Sequence, residues 1–192
     1  CREGAGAGAG SALTLKISAA VERWPVAGAF VIARGAKTYV DVVVAEIRDG
    51  QFSARGEGTP IYYNGETAEN CLSQIEALPP DVDRETLQHL LPPGAARNAV
   101  DCAFWELESK STGLPVWRLA RLPPPEPLVT ALTVSVDRPE RMESAARATA
   151  ERSPLIKVKL AGENDLERVE AVRRGAPNAR LIVDANEAWS SL

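Results

Sequence analysis

The sequence predicts an α+β unit followed by a β-α-β-α-β segment with a parallel sheet. Three observations predict it. Up to about Arg55 the chain runs in short, partly alternating stretches, whereas residues 67–111 carry apolar side chains at helical spacing. The run Leu122-Pro123-Pro124-Pro125-Glu126-Pro127 is a stiff break between two patterns. Beyond it, strand-like and helix-like stretches take turns, which calls for crossover helices and parallel strands.

The Ala-Gly alternation from Gly4 to Gly10 reads as a flexible leader, residues 1–12. Leu13 to Val21 is a weakly alternating strand. Val26 to Ala33 is apolar and leads into a turn at Arg34-Gly35-Ala36-Lys37-Thr38. Tyr39 to Ile47 is rich in β-branched residues and is the clearest early strand. Asp49-Gly50 signals a hairpin before a short strand at Gln51 to Arg55, and Gly56 to Gly65 is rich in turn residues. A helix from Thr67 to Leu78 puts Ala68, Leu72 and Ile75 on one face and stops at Pro79-Pro80. Asp83 to Leu91 is a short helix. Ala95 to Ser111 is a long one, with Ala96, Val100, Ala103, Phe104 and Leu107 as its apolar stripe and Gly113 as its stop. Residues 13–122 therefore read as one domain of three strands then helices, 123–128 as a linker and 129–192 as the second section. There Val129 to Val136 is a strand, and Asp137 to Glu151 is a helix with Pro139 in its first turn. Leu155 to Leu160 is a strand. Asn164 to Arg174 is a helix with Asn164 and Glu167 spaced as a capping pair and Leu166, Val169 and Val172 on its buried face. Arg180 to Asp184 is the last strand.

The composition excludes several classes. Lys plus Arg number 22 against 26 Asp plus Glu, a net charge of -4, so the chain lacks the basic footprint of a nucleic-acid or anionic-membrane binder. No apolar run approaches the roughly 20 residues that span a bilayer. The cysteines Cys1, Cys71 and Cys102 form no CxxC pair. Cys71 and Cys102 fall in helical patterns and are expected to be buried, inert thiols, which fits a reduced, cytoplasmic setting. Cys1 reads as a truncated start or a cloning scar, with a processed lipoprotein as the lesser reading. His89 has no partner at ligand spacing and reads as a surface or helix-end histidine.

The informative charges sit at strand ends. In Leu155-Ile156-Lys157-Val158-Lys159-Leu160 two lysines at i and i+2 share one face of an otherwise aliphatic strand. Leu181-Ile182-Val183-Asp184-Ala185-Asn186 ends a buried-looking strand in a carboxylate and then an amide. Taken singly, the lysines read as solvated edge residues and Asp184 as a cap or turn former. Taken together, at the C-terminal ends of parallel strands where such folds carry their sites, they suit proton abstraction next to a carboxylate. That chemistry needs a base made easier to deprotonate by a nearby cation, and an electrophile for the enediolate.

These segments resemble a known family. Val129-Thr130-Ala131-Leu132-Thr133-Val134-Ser135-Val136, the Lys157-Val158-Lys159 strand, and Ile182-Val183-Asp184-Ala185-Asn186-Glu187-Ala188-Trp189 are similar to the first three barrel strands of the enolase superfamily, muconate-lactonizing subgroup. Within it they look most like the dipeptide epimerases that interconvert L-Ala-D-Glu and L-Ala-L-Glu. Phe30 to Gly35, Arg97 to Glu108 and Gly113 to Trp117 resemble that family's capping domain. The resemblance implies an α+β capping domain followed by the first three strands of a (β/α)8 TIM-type barrel. It makes Lys159 an acid/base catalyst, acting through an enediolate as is established for this superfamily. It makes Lys157 the contact of the substrate carboxylate and the aid to Lys159, Asp184 the first of three carboxylate ligands to Mg2+, and Asn186 a neighbour of the metal. Thr133 is either a substrate grip or an ordinary strand residue. Arg34 or Lys37 from the early capping loop either grips the dipeptide or is a solvated turn charge, and Glu57 stays equally open.

Sixty-four residues follow Leu128, whereas a whole (β/α)8 barrel takes ~250 residues. The expectation is an N-terminal part of a longer chain, inactive by itself, whose third strand would be an apolar unpaired edge. An intact mass of 20.6 kDa for the natural protein would refute it. The expected partner is a small dipeptide, with no nucleic acid and no membrane, and homo-oligomerisation of the full-length protein stays open. Other activities open on the same residues are N-succinyl-amino-acid racemase, o-succinylbenzoate synthase and muconate cycloisomerase, and beside them a non-catalytic binding module.

Overall fold

Alternation and β-branching build two long strands at the start. The computed structural model describes residues 15–32 and 35–190. The leader and Arg34 lie outside these residues. Strand β1 (Lys16–Ile32) and β2 (Gly35–Arg48) are neighbours, and β2 pairs antiparallel with β3 (Ser53–Gly58). Pro25 falls inside β1, which its place at the sheet edge tolerates because an edge strand has a row of amides free of the ladder. Two expectations change here. Gly35 to Thr38 are not a turn but the start of β2, a strand that lies next to β1 in the sheet. Gly56 to Gly58 are not loop but the end of β3.

The reason for the second change is close packing. Helices α1 (Ala68–Glu76), α2 (Arg84–Leu90) and α3 (Ala95–Thr112) follow, then the short α4 (Val116–Leu119). The α3 backbone lies directly on β3. A Cβ on Gly56 would stand 2.1 Å from the Ala99 carbonyl oxygen, and one on Gly58 2.2 Å from that of Ala95. Only glycine lets the two backbones meet. The buried core joins Val43, Ala45 and Ile47 of β2 to Cys71 and Ile75 of α1, Leu87 of α2, and Ala96, Val100, Phe104 and Leu107 of α3. Gly56→Ala is expected to destabilise this unit by about 1–3 kcal/mol, the usual cost of overpacking. An unchanged urea midpoint would refute the close approach.

Thr67 and Asp83 open α1 and α2 with reciprocal capping boxes to Asn70 and Thr86. His89 lies exposed in the last turn of α2. Cys71 is buried as expected, but Cys102 is exposed, because it sits on α3 away from the Ala96–Leu107 stripe. Partial burial of the thiol, then the carboxylates of Asp101 and Glu57, still hold the Cys102 pKa above its ordinary value.

The second sheet is parallel, in the order β4 (Leu132–Val134), β5 (Leu155–Lys159), β6 (Arg180–Asp184), with α5 (Pro139–Ala150) and α6 (Asp165–Gly175) as the crossovers. Val134, Ile156, Val158 and Leu160 pack with Met142 and Ala146 of α5 and Val172 of α6. The apolar cluster therefore takes one face of β5, that of Ile156 and Val158, and the two lysines lie on the other. On β6, Ile182 and Val183 are 45% and 46% exposed.

Helix α6 departs from expectation at its start. Asn164 takes the left-handed conformation (φ 55°) and its side chain makes no cap. Leu166 is 73% exposed, and the buried stripe runs instead from Asp165 to Val172 and Gly175. The chain divides into two compact units. One holds residues 1–24 and 41–124, the other residues 25–40 and 125–192.

Candidate active site at the ends of the parallel strands

Parallel pairing sets three strand ends side by side. Thr133 of β4 is registered with Lys157 of β5, and Lys157 with Ile182 of β6. One step further along, Lys159 is registered with Asp184. Residues in register share a face, so the two lysines, Thr133 and Asp184 all lie on the side opposite the helices.

The side chains meet. The Lys159 ammonium donates to Asp184 Oδ2 at 2.8 Å and to Asn186 Oδ1 at 2.8 Å. Lys157 Nζ is 2.7 Å from the same Asp184 Oδ2. The other carboxylate oxygen, Oδ1, accepts the Asn186 backbone N–H at 2.9 Å. Asn186 and Glu187 both take positive φ (48° and 64°), which turns the chain back so that the amide faces the lysine. Lys159 is 5% exposed, and Lys157 is half-buried. Such strained backbone at a strand end is a common mark of a site.

The charges explain the titration of Asp184. Hydrogen bonds from Lys157 and then Lys159 pull its pKa far below the usual carboxylate range, burial opposes this weakly, and the Asn186 amide adds to the lowering. Asp184 is thus held as an ionised, hard oxygen donor by the two ammonium groups. Beside it the Asn186 carbonyl supplies a second, neutral oxygen at the same point. Among the described residues there is no cluster of three His, Cys, Asp or Glu side chains able to hold a metal.

Of the other residues named from sequence, Thr133 lies exposed on the site face of β4. Lys37 lies in β2, in the stretch 25–40 that groups with the second unit. Arg34 is outside the described residues. Glu57 is an exposed residue of β3 in the first unit, and its backbone carbonyl accepts from Asn98 at 2.8 Å.

Sequence reasoning missed a second layer. Asp165, at the first position of α6, accepts the backbone amides of Ala161 (2.9 Å) and Gly162 (2.8 Å) and the Trp189 indole N–H (2.9 Å). Arg168 pairs with it at 3.0 Å and also donates to the carbonyls of Asp137 (3.2 Å) and Glu163. Burial raises the Asp165 pKa, but the Ala161 amide, Trp189, the Gly162 amide and Arg168 together outweigh it, and the net shift is downward. The available signal was a carboxylate three residues after Gly162 at the start of a helix, a pattern with an ordinary capping explanation.

Comparison with known proteins decides the family. Residues 14–120 match the family model described as mandelate racemase / muconate lactonizing enzyme, N-terminal domain, which is more than half of the chain. The chain belongs to the mandelate racemase / muconate lactonizing enzyme family. Among its curated relatives, the L-Ala-D/L-Glu epimerase of Escherichia coli (strain K12) is 39% identical over 173 residues, covering 88% of this chain and 54% of the relative. The N-acetyl-D-glutamate racemase of a Pseudoalteromonas species is 35% identical over 157 residues, covering 77% and 48%. This family member thus spans about half the length of the curated relatives it matches. In the same fold is the crystal structure of an enolase family member from Agrobacterium tumefaciens with homology to dipeptide epimerases, holding bound sodium and L-Ala-L-Glu. It is 44% identical with a TM-score of 0.86, covering 91% of this chain and 55% of that one. A dipeptide epimerase from Methylococcus capsulatus, complexed with Mg and L-Arg-D-Lys, is 26% identical with a TM-score of 0.81, covering 92% and 55%. Among the described residues no helix is long and apolar enough to cross a membrane.

Proposed function

We propose that the chain carries one side of the catalytic centre of a Mg2+-dependent epimerase that inverts the α-carbon of the C-terminal residue of an L-Ala-Glu dipeptide. The observation that carries this reading is the Lys159 ammonium held at 2.8 Å from both Asp184 Oδ2 and Asn186 Oδ1 at adjacent parallel strand ends.

The roles follow from the chemistry. An α-proton next to a carboxylate is very weakly acidic, so its removal needs a positioned base and a way to hold the charge that moves onto the carboxylate as the enediolate forms. Lys159 takes that proton from one face of the α-carbon and returns it there. Lys157, on the same face of β5, pairs with the substrate carboxylate. Thr133 grips the dipeptide from the neighbouring strand, and Arg34 or Lys37 does so from the β1–β2 end. The grouping of residues 25–40 with the second unit supports a role for that end.

Asp184 would be one carboxylate ligand of the Mg2+ and Asn186 its neighbour. An ionised carboxylate with a side-chain amide oxygen near it is the donor chemistry a hard cation prefers. When bound, the ion supplies positive charge opposite the substrate carboxylate. The remaining ligands and a base for the opposite face belong to the part of the protein beyond the described residues. Residues 13–122 act as the cap, 123–128 as the linker and residues from 129 as the start of the barrel. A cytoplasmic location and homo-oligomerisation of the whole protein go with this reading. The free thiols of Cys71 and Cys102 support a reducing compartment.

A second reading is an N-acyl-amino-acid racemase, favoured by the 35% identity to the N-acetyl-D-glutamate racemase. The two meet chemically, since L-Ala-Glu and N-acetylglutamate are both N-acylated glutamates. The test is α-proton exchange in D2O by the whole protein with Mg2+, followed by NMR on L-Ala-L-Glu, L-Ala-D-Glu and N-acetyl-D-glutamate. Exchange with inversion of the dipeptides is expected. Exchange of N-acetyl-D-glutamate alone moves the assignment to the racemase, and exchange of none of them overturns both.

A further inference from the structure

We propose that the Asp165–Arg168 pair is a positioning device that ties the three strand-end segments together and so holds Lys159 in place for proton transfer. The inference rests on the reading of Lys159 as the base.

The connectivity carries it. Asp165 reaches Ala161 and Gly162, directly after the strand that bears Lys159, and Trp189, three residues after Asn186. Arg168 adds Glu163 of the first of these segments and Asp137 of the segment after β4. One ion pair at 3.0 Å therefore joins the chain leaving β4, β5 and β6. Both side chains are largely buried, 10% and 16% exposed. A buried, ionised pair is a poor way to gain stability, because desolvating both ions offsets most of their attraction. An apolar residue at position 165 would serve a helix face equally well, and Leu166 beside it is left in solvent. What the pair does supply is direction. A planar guanidinium and a two-oxygen carboxylate fix several backbone groups at once, which apolar packing does not. Lys159 lies two residues before Ala161, so its ammonium inherits the order of that segment. Small displacements of a catalytic group, on the order of 1 Å, cost about 100-fold in rate.

The test uses the whole protein with Asp165→Asn, and Trp189→Phe as a second variant that removes only the indole donor. Two quantities are read. The first is amide hydrogen exchange in segments 135–138, 160–163 and 185–190. The second is the ratio of α-deuterium incorporation with retained configuration for the two dipeptide epimers, one deprotonated on the Lys159 face and the other on the opposite face. For Asp165→Asn, faster amide exchange in all three segments is expected, with at least a tenfold loss on the Lys159 face and less than threefold on the other. A merely structural role lowers both faces equally, by the fraction unfolded, and leaves the ratio unchanged; that result overturns the proposal, as does loosening of 160–163 alone. If Asp165→Asn does not fold, Trp189→Phe decides: it is expected to loosen 185–190 and shift the ratio in the same sense, and no change in either overturns the proposal. A wild-type protein that exchanges no α-proton removes the reading beneath the proposal, whereas an active wild type with an unchanged ratio in the variants removes the proposal alone.

Discussion

Replacing Lys159 by Ala in the whole protein is expected to abolish α-proton exchange on one face of the substrate, with a loss of at least 1000-fold. General acid–base groups contribute roughly 100- to 10,000-fold, and Lys159 is the most buried cation of the site, with its ammonium already aimed at Asp184 and Asn186. Lys159→Met keeps most of the aliphatic stem and its packing while deleting the ammonium. The two variants should therefore lose the same activity while Met retains more of the thermal stability. The epimer deprotonated from the opposite face should still exchange its own α-proton, because that step uses another base. Deuterium incorporation followed separately from each epimer checks this. Undiminished exchange on both faces would remove Lys159 from the mechanism.

Asp184→Asn is expected to have the second largest effect, a loss of at least 100-fold in kcat/KM, about 2.7 kcal/mol of transition-state stabilisation at 1.36 kcal/mol per tenfold. The change is isosteric and retains an oxygen but removes the negative charge that faces both Lys157 and Lys159. Two consequences should appear together. Divalent-ion affinity, read by calorimetry with Mg2+ alone, should fall. Stability should also fall, by about 1–3 kcal/mol, because the buried Lys159 ammonium loses the negative charge it pairs with. A variant that binds Mg2+ as the parent does would take Asp184 out of the metal site, whatever its activity.

Much of the architecture was legible because it is local. The alternation in 155–160 announces a strand and fixes which side chains share a face, so Lys157 and Lys159 were paired correctly before any partner was known. Helical spacing did the same for α3, and the proline run separated two patterns. The misreadings came where a distant element overrides a local signal. Gly56 and Gly58 look like loop residues, yet they are strand, because the α3 backbone presses on them from about 40 residues away in sequence. Leu166 looks like the buried start of α6, yet Asp165 takes that place because three loop donors converge on it. Cys102 looks buried by type but falls off the apolar stripe of its helix.

The sequence by itself determined the residue types of the site and their faces, since a strand's period of two needs no partner to be read. Only the tertiary structure decided the register that sets Lys159 beside Asp184, the backbone turn that brings the Asn186 oxygen to the same ammonium, and the carboxylate–guanidinium pair that joins the three strand ends. Register depends on how α5 and α6 seat against the sheet, and a buried polar network depends on groups far apart in the chain. Neither is encoded in any single segment.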